Sequence, residues 1–321
     1  MKKHVIVSIL CVALAVLILI WGLTPMTSTR KQSTGGTVAL LLDTDIGAGA
    51  LQMKQGAKQA AKEQKVELLT ATADYSANAA QSQAELMMQL LNRDVRALLL
   101  VPVQGADLSE AMMEAERRKV PVLTLSEAPQ LSGAACNISA DHVKAGTLAA
   151  QALLERIKEP GRALLVVGDA ADDAAALRRK GAMQVLEGQQ DFQVVLETVL
   201  EGKSPENVLS ILEKHPQINC ILVLTGGATE TCALAMGRHM MDMPLVGLDC
   251  GQNRNLYLEN GQVDAMVLGM PFAMGYLGVQ FAMQALEGKD FPHRYYTESR
   301  VIDRENMYLP ENQKLAFPLL Q

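Results

Sequence analysis

Aromatic residues are scarce in this sequence, and its net charge is negative. Phe, Tyr and Trp make up 4% of the 321 residues, and a single Trp is present. The 17 Met can fill core positions that aromatic side chains would otherwise occupy. The 29 basic and 35 acidic residues give a net charge of -6. Nucleic-acid phosphates require clustered Lys and Arg, so a nucleic-acid partner is not expected.

Cysteine spacings that bind metals or form a disulfide framework are also missing. The five Cys are scattered, with no Cys-x-x-Cys and no paired His, so a zinc site is not expected. Ordinary buried thiols are the simplest interpretation. Cys220 and Cys232 could form a disulfide only if the fold brings them close together.

Motifs for cofactor binding and catalysis are incomplete or absent in the sequence. Gly47-Ala48-Gly49 follows the first predicted strand, but position 52 is Gln where a dinucleotide fingerprint needs a third Gly. There is no Gly-Lys-Ser/Thr phosphate loop and no Gly-x-Ser-x-Gly elbow. Asp43-x-Asp45 could hold a divalent metal, although we expect neither a metal nor a cofactor. The sequence therefore predicts a protein that is not an enzyme.

The N-terminus carries a long apolar run, residues 5–23, directly after two lysines. As a helix this run would span about 28 Å, close to the thickness of the hydrocarbon core of a membrane. Residues 23–27 lack the small side chains of a signal-peptidase site. An uncleaved membrane anchor over residues 1–27, with its lysines inside, is therefore favoured over a cleaved signal. In either case the body of the chain, after a polar linker at 28–36, is expected to be exported.

Apolar runs alternate with helix-length stretches from residue 37 onward. Runs that are apolar throughout, such as Val38–Leu42 and Ala97–Val101, are typical of parallel strands covered on both faces. Residues 126–140, rich in Ser, Gly and Ala, interrupt the alternation and are expected to be irregular. Two βα runs of similar length on either side of this stretch predict two similar lobes.

Polar side chains follow several of these predicted strands. In the stretch Met243–Gly251, for example, a short apolar strand ends at Asp249. The carboxyl edge of an open α/β sheet is where ligands bind, although such residues are also ordinary helix caps. A cleft between two such edges would suit a small molecule. The candidates at strand ends are Asp43, Asp45, Gln104, Ser126, Glu127, Thr225 and Asp249.

The order of the segments resembles the type I periplasmic sugar-binding proteins, the ribose-binding group in particular. The resemblance covers about residues 37–288. It rests on Val38-Ala-Leu-Leu-Leu-Asp43, Leu98-Leu-Leu-Val-Pro-Val, Val120-Pro-Val-Leu-Thr-Leu125, Ile138-Ser-Ala-Asp141, Arg178-Arg-Lys-Gly181 and Val246-Gly-Leu-Asp249.

This resemblance implies an α/β fold of two Rossmann-like lobes with parallel sheets, joined by a three-strand hinge. Laid on this chain, the hinge crossings fall near Ala140, Gly269 and Thr297. The implied domains are lobe 1 at 37–140 plus 270–298 and lobe 2 at 141–269 plus 299–321.

The resemblance also implies a partly retained ligand site. Arg178 and Asp249 fall on the family's ligand-binding Arg and Asp, and Asp43 falls on a polar contact. The two aromatic residues that stack on the sugar fall on Gly49 and Ala50 here, so that stacking surface is missing. The ligand is therefore expected to be sugar-like, but it need not be ribose or a typical pyranose.

By resemblance, the chain would be an extracytoplasmic solute-binding protein of the cell envelope that delivers its ligand to an ABC-type importer. The alternative is a membrane-anchored receptor that signals to a sensor kinase or chemoreceptor. A related transcriptional repressor would need a helix-turn-helix where this chain has its apolar segment. Because four acidic candidates accompany the single basic Arg178, an amine-bearing ligand such as an amino sugar is a further hypothesis.

Overall fold

The computed structural model describes residues 36–43, 48–73, 78–125, 131–168, 173–200, 203–239 and 242–317. The predicted anchor at 1–27, almost all of the linker at 28–36, and the candidates Asp45, Ser126 and Glu127 lie outside these residues. Within the described ranges, no helix is long and apolar enough to cross a membrane.

The secondary structure alternates between strands and helices through most of the chain. The strands are β1 (Thr37–Leu42), β2 (Glu67–Thr72), β3 (Ala97–Leu100), β4 (Val122–Leu125), β5 (Cys136–Ala140), β6 (Gly161–Val167), β7 (Phe192–Val199), β8 (Cys220–Val223), β9 (Leu245–Leu248), β10 (Ala265–Leu268), β11 (Arg294–Thr297) and β12 (Arg300–Asp303). The helices are α1 (Ala48–Gln64), α2 (Ala79–Leu91), α3 (Ser109–Arg117), α4 (His142–Leu154), α5 (Asp173–Leu186), α6 (Pro205–Lys214), α7 (Gly226–His239), α8 (Arg254–Glu259), α9 (Pro271–Leu286) and α10 (Pro310–Ala316), with a 3-10 turn at Gly251–Asn253.

The strands form two six-stranded sheets within the described residues. The first has the order β11-β5-β4-β3-β1-β2, and the second has the order β12-β10-β9-β8-β6-β7. Neighbouring strands are parallel except β12, which runs antiparallel to β10. The predicted two-lobe α/β fold is thus confirmed, with one antiparallel edge strand that the sequence did not indicate.

The chain passes from one sheet to the other after β5, after β10 and after β11. We call the first sheet with α1, α2, α3 and α9 lobe 1, and the second sheet with α4 to α8 and α10 lobe 2. Helix α9 packs on α1 and the first sheet, while α4 packs on α5 and the second sheet. Helix α10 belongs to lobe 2, because Leu315 and Ala316 are buried in that core.

Each sheet is buried on both faces, as the apolar strands predict. On the first sheet, Leu40 and Leu99 belong to the core on one face, and Leu41 and Leu98 to the core on the other. All four side chains are fully buried. This arrangement leaves the ends of the strands, where polar residues occur, as the places available to a ligand.

Residues 126–140 are not irregular throughout, because Cys136–Ala140 forms β5. The prediction was wrong there because polar residues hide the strand. Asn137 and Ser139 are buried, and Asn137 Nδ2 donates a hydrogen bond to Thr124 Oγ1 at 2.9 Å. Pairing of this kind makes a buried polar residue acceptable, and an apolar pattern cannot show it.

Lobe 1 brings α1 and α9 together at glycines. A Cβ on Gly56 would lie 1.9 Å from the carbonyl oxygen of Phe272, and one on Gly275 would lie 2.0 Å from that of Met53. Side chains at either position would force the two helices apart. This contact fixes the position of α1, which follows the carboxyl end of β1.

The four cysteines in the described residues are buried and free. Burial raises the pKa of the Cys136 and Cys220 thiols to about 11, and that of Cys232 and Cys250 to about 12. The interpretation of these residues as ordinary buried thiols is confirmed, and Cys220 and Cys232 do not form a disulfide.

Candidate ligand-binding cleft

Three neighbouring strands bring the lobe 2 candidates to one edge of the second sheet. Strands β6, β8 and β9 are adjacent and parallel, so their carboxyl ends lie side by side. Thr225 follows β8, Asp249 follows β9, and the helix after β6 carries Arg178. The backbones after β8 and β9 approach closely, since a Cβ on Gly226 would lie 2.1 Å from the carbonyl oxygen of Asp249.

Asp249 is held by two groups from the segment that follows it. Its Oδ1 accepts a hydrogen bond from the Gly251 N–H at 2.9 Å. Its Oδ2 lies 2.9 Å from Nη2 of Arg254, an ion pair without the alignment of a hydrogen bond. The sequence alternative that Asp249 merely caps the next segment therefore describes one of its two oxygens.

The Asp249 carboxylate keeps capacity to bind a ligand. About 35% of its side chain remains accessible. Burial raises the pKa of Asp249 above its ordinary value, while the Arg254 guanidinium and the Gly251 N–H oppose that rise. A carboxylate has about four acceptor positions, so the two contacts leave room for donors from a ligand.

Arg254 is the residue at this edge that the sequence analysis missed. It is 1% exposed and is the largest fully buried side chain in the described part of the chain. Its Nε donates to the Gly251 carbonyl at 2.7 Å, and its Nη1 donates to the Leu315 carbonyl at 3.1 Å. A signal existed, because an Arg near the start of the predicted helix 252–260 can reach back to Asp249.

Arg178 is held in place by the packing of α4 on α5. It is buried, 8% exposed, on the second turn of α5. A Cβ on Gly146 would lie 1.9 Å from the Arg178 carbonyl oxygen, so the two helix backbones are in direct contact. Its neighbour Arg179 is exposed and pairs instead with Glu197 at 2.7 Å.

The lobe 1 candidates follow β1 and β3, which are adjacent parallel strands. Asp43 is half-buried directly after β1, whereas Gln104 is exposed in the turn after β3. Gln83 of α2 fastens that loop, because its Nε2 donates to the Val101 carbonyl at 2.8 Å and its Oε1 accepts from the Val103 N–H at 2.7 Å.

The two lobes meet where α1 touches the 3-10 turn after Asp249. Gln52 of α1 is 2% exposed, and its Nε2 donates to the carbonyl oxygen of Lys314 in α10 at 3.0 Å. Because α1 follows the carboxyl end of β1 and the turn follows that of β9, the two carboxyl edges face each other here. Gly269, at the second crossing, borders open space, since nothing lies within 4 Å of a Cβ placed there.

The structure therefore places Thr225 and Asp249 after adjacent strands of the second sheet and Arg178 in the helix after β6, and it places Asp43 at the end of β1 in the first sheet. Gln104 lies on an exposed turn rather than in a buried wall. Among the residues described, no three His, Cys, Asp or Glu side chains are grouped as a metal site would need.

Comparison with known proteins identifies the family to which this chain belongs. The family model described as "Periplasmic binding protein domain" matches residues 38–290, which is most of the chain. The chain belongs to this family. By sequence and fold it is a type I periplasmic sugar-binding protein. Its relatives are sugar-binding transport proteins rather than enzymes.

Two curated relatives of this periplasmic binding protein align along nearly their whole length. The ribose import binding protein RbsB of Salmonella typhimurium is 22% identical over 277 residues, covering 84% of this chain and 91% of the relative. The D-allose-binding periplasmic protein of Escherichia coli is 23% identical over 310 residues, covering 87% and 98%. The name of the second relative places it in the periplasm, in agreement with a cell-envelope location for this family.

Solved structures share the fold. An ABC transporter solute-binding protein from Actinobacillus succinogenes with bound D-allose superposes with a TM-score of 0.75 at 20% identity, covering 84% of this chain and 98% of that one. The glucose-galactose binding protein GanP from Geobacillus stearothermophilus gives 0.74 at 22% identity, covering 86% and 99%.

Removing either member of the Asp249–Arg254 pair should destabilise the fold. Arg254→Met leaves a carboxylate without its cation, and Asp249→Asn leaves a buried guanidinium without its anion. Because Asp249 is partly accessible, we expect each to lower the free energy of unfolding by about 2 kcal/mol, less than for a fully enclosed pair. The double variant should lose less than the sum of the two.

Urea unfolding of the two single variants and the double variant measures this coupling. Arg179→Met, which breaks the exposed pair with Glu197, is the matched control and should change stability by less than about 1 kcal/mol. Strictly additive losses would show that the two charges do not interact.

Proposed function

We propose that this chain is an extracytoplasmic solute-binding protein that closes on a small sugar-like ligand and delivers it to an ABC-type importer. The family assignment and the names of the relatives support this role. The cleft supports it too, since polar side chains at the carboxyl edges of two lobes can surround a polyhydroxylated molecule. No chemistry on the ligand is required.

The observation that carries the proposal is the state of the Asp249 carboxylate. It is anchored by Arg254 and Gly251, yet about 35% of the Asp249 side chain stays accessible. A rigidly held carboxylate with free acceptor positions suits the paired hydroxyls of a sugar. Arg178, buried on the adjacent helix, is a donor for ring or hydroxyl oxygens at the same edge.

The ligand proposed is a neutral polyol rather than an amine. Counting carboxylates in the sequence overstated the negative charge of the cleft, because the structure pairs Asp249 with a buried Arg that had not been counted. A neutral pair needs no ammonium group to balance it. The amine-bearing hypothesis thereby loses the strongest of its four acidic residues.

Binding would depend on hydrogen bonds more than on stacking, because Gly49 and Ala50 offer no aromatic surface. The proposed ligand-binding residues remain those taken from the sequence. They are Asp43, Asp45, Gln104, Ser126, Glu127, Arg178, Thr225 and Asp249.

The membrane partner is proposed to be an ABC permease, in line with relatives named for import. The alternative, a receptor for a sensor kinase or chemoreceptor, is not favoured by these relatives. We retain the N-terminal anchor as a proposal from the apolar run at 5–23 alone. Retention of the chain in membranes after alkaline carbonate extraction, with Met1 still present by mass spectrometry, is expected; a released, shortened chain would mean a cleaved signal.

Thermal-shift screening tests the binding function directly. We expect at least one neutral sugar or polyol among D-ribose, D-allose, D-arabinose, D-galactose and myo-inositol to raise Tm in a concentration-dependent way. D-Glucosamine serves as the amine comparator. Stabilisation by the amine and by none of the neutral compounds would reverse the proposed ligand class, and a Tm unmoved by every compound would contradict the sugar-binding role.

Arg178→Ala and Asp249→Ala should each weaken binding of the sugar found in that screen by about 2–4 kcal/mol, since each removes a charged hydrogen-bonding group from the cleft. Isothermal titration calorimetry on variants that remain folded measures the loss. Arg179→Ala is the matched control, because it removes an exposed Arg from the same helix. Unchanged affinity in both cleft variants would mean that the site lies elsewhere.

A further inference from the structure

We propose that Gln52 and Arg254 are positioning residues that hold the C-terminal end of α10 between the lobes and so favour the closed cleft. The inference rests on the proposed function in one respect, since closure serves binding. The contacts that carry it lie outside the ligand site itself, and nothing in the family assignment specifies them.

Two consecutive carbonyls at the end of α10 are bound from opposite lobes. The Lys314 carbonyl accepts from Gln52 Nε2 of lobe 1 at 3.0 Å, and the Leu315 carbonyl accepts from Arg254 Nη1 of lobe 2 at 3.1 Å. The last carbonyls of a helix have no partner within it, so they are available for such contacts. Both lobes therefore hold the end of α10, and we call the Gln52–Lys314 and Arg254–Leu315 hydrogen bonds the grip.

Helix α10 is fixed to lobe 2 by more than Arg254. Leu315 and Ala316 are buried in the lobe 2 core, and Arg300 Nη1 donates to the Glu311 carbonyl at 3.1 Å. The Gln52–Lys314 hydrogen bond, which joins residues 262 positions apart, is therefore a bond between lobes. We expect opening of the cleft to break this bond and to leave the Arg254 contacts, which lie within lobe 2, in place.

The grip is connected to the ligand side of the cleft through one guanidinium. Arg254 contacts the Leu315 carbonyl on one side and the Asp249 carboxylate on the other. A group that orients Asp249 also orients the surface on which Gln52 docks. Arg254 acts through these neighbours and has no proposed ligand contact of its own.

The hydrogen bond at Gln52 is weak enough to be reversible. Its Nε2 is satisfied, but its Oε1 is buried without a hydrogen-bond partner in the described part of the chain. A net gain of about 0.5–1.5 kcal/mol is usual for one such bond. That is enough to shift an open-to-closed ratio by about two- to tenfold without locking the cleft.

Gln52→Glu tests the proposal, because a carboxylate cannot donate to the Lys314 carbonyl whereas a protonated carboxyl can. Spin labels are attached to cysteines introduced at two exposed positions, Gln81 in lobe 1 and Lys180 in lobe 2. Electron spin resonance then measures the distance between the lobes. The native protein is stripped of ligand by unfolding and refolding, and Cys11 is replaced by Ser. We expect roughly a tenfold or larger rise in the open-to-closed ratio at pH 7.5 and a return toward the wild-type ratio at pH 5.

The controls separate this role from a general loss of structure. Gln89→Glu introduces the same charge on an exposed position of α2 in lobe 1 and should leave the ratio unchanged. Wild type is measured at both pH values because Asp249, Arg254 and Lys314 lie around the same helix end. If Gln52→Glu does not fold at pH 7.5, Gln52→Met should still raise the ratio by about two- to tenfold.

Arg254→Met examines the other half of the grip. It should also raise the open-to-closed ratio, and combined with Gln52→Glu it should add little, because the interlobe bond is already lost. If the two substitutions change the open-to-closed ratio independently, so that their effects multiply in the double variant, the coupling between Arg254 and Gln52 is overturned. A wild-type ratio for Gln52→Glu at pH 7.5, or an open excess that persists at pH 5, would overturn the proposal. The distances are measured without sugar, so a failed ligand screen would contradict the proposed function and leave this result standing.

Discussion

Burying a guanidinium is costly unless hydrogen bonds and an opposite charge compensate for the lost hydration, and at Arg254 this requirement organises the second lobe's side of the cleft. Desolvation of such a cation costs several kcal/mol, which one ion pair alone does not recover. Here the carbonyls of Gly251 and Leu315 accept hydrogen bonds from Nε and Nη1, and the carboxylate of Asp249 forms an ion pair with Nη2. One side chain thereby sets the geometry of a strand end, a tight turn and a C-terminal helix at once.

Much of the fold could be predicted from the sequence, because strands buried on both faces are apolar throughout. Val38–Leu42 and Leu245–Leu248 carry that signal without ambiguity. The signal fails where burial depends on polar pairing, as in β5, where Asn137 finds Thr124 across the sheet. It also fails for β11, β12 and α10, which are short segments stabilised by neighbours distant in sequence. Local periodicity contains no information about such neighbours.

The cleft was less predictable than the fold. Strand-end positions such as Thr225 and Asp249 follow from the sheet alone, since parallel strands end at one edge. The ligand-binding properties of these residues depend on the side chains and backbone groups that contact them. The pairing of Asp249 with Arg254 was within reach, five residues along the chain. Gln52 was not, because its partner is a backbone carbonyl 262 positions away, and a backbone carbonyl leaves no trace in the sequence.

The reactivity of the four buried thiols depends on whether the chain has folded. A thiol with a pKa near 11 or 12 and no access to solvent offers almost no thiolate to an oxidant. The same sulfurs in an unfolded chain would be ordinary reactive cysteines. In an oxidising medium, folding therefore competes in rate with disulfide formation, and once the cores close, the reduced state is preserved kinetically. For the described cysteines, burial inside the folded lobes is the protection against cross-linking.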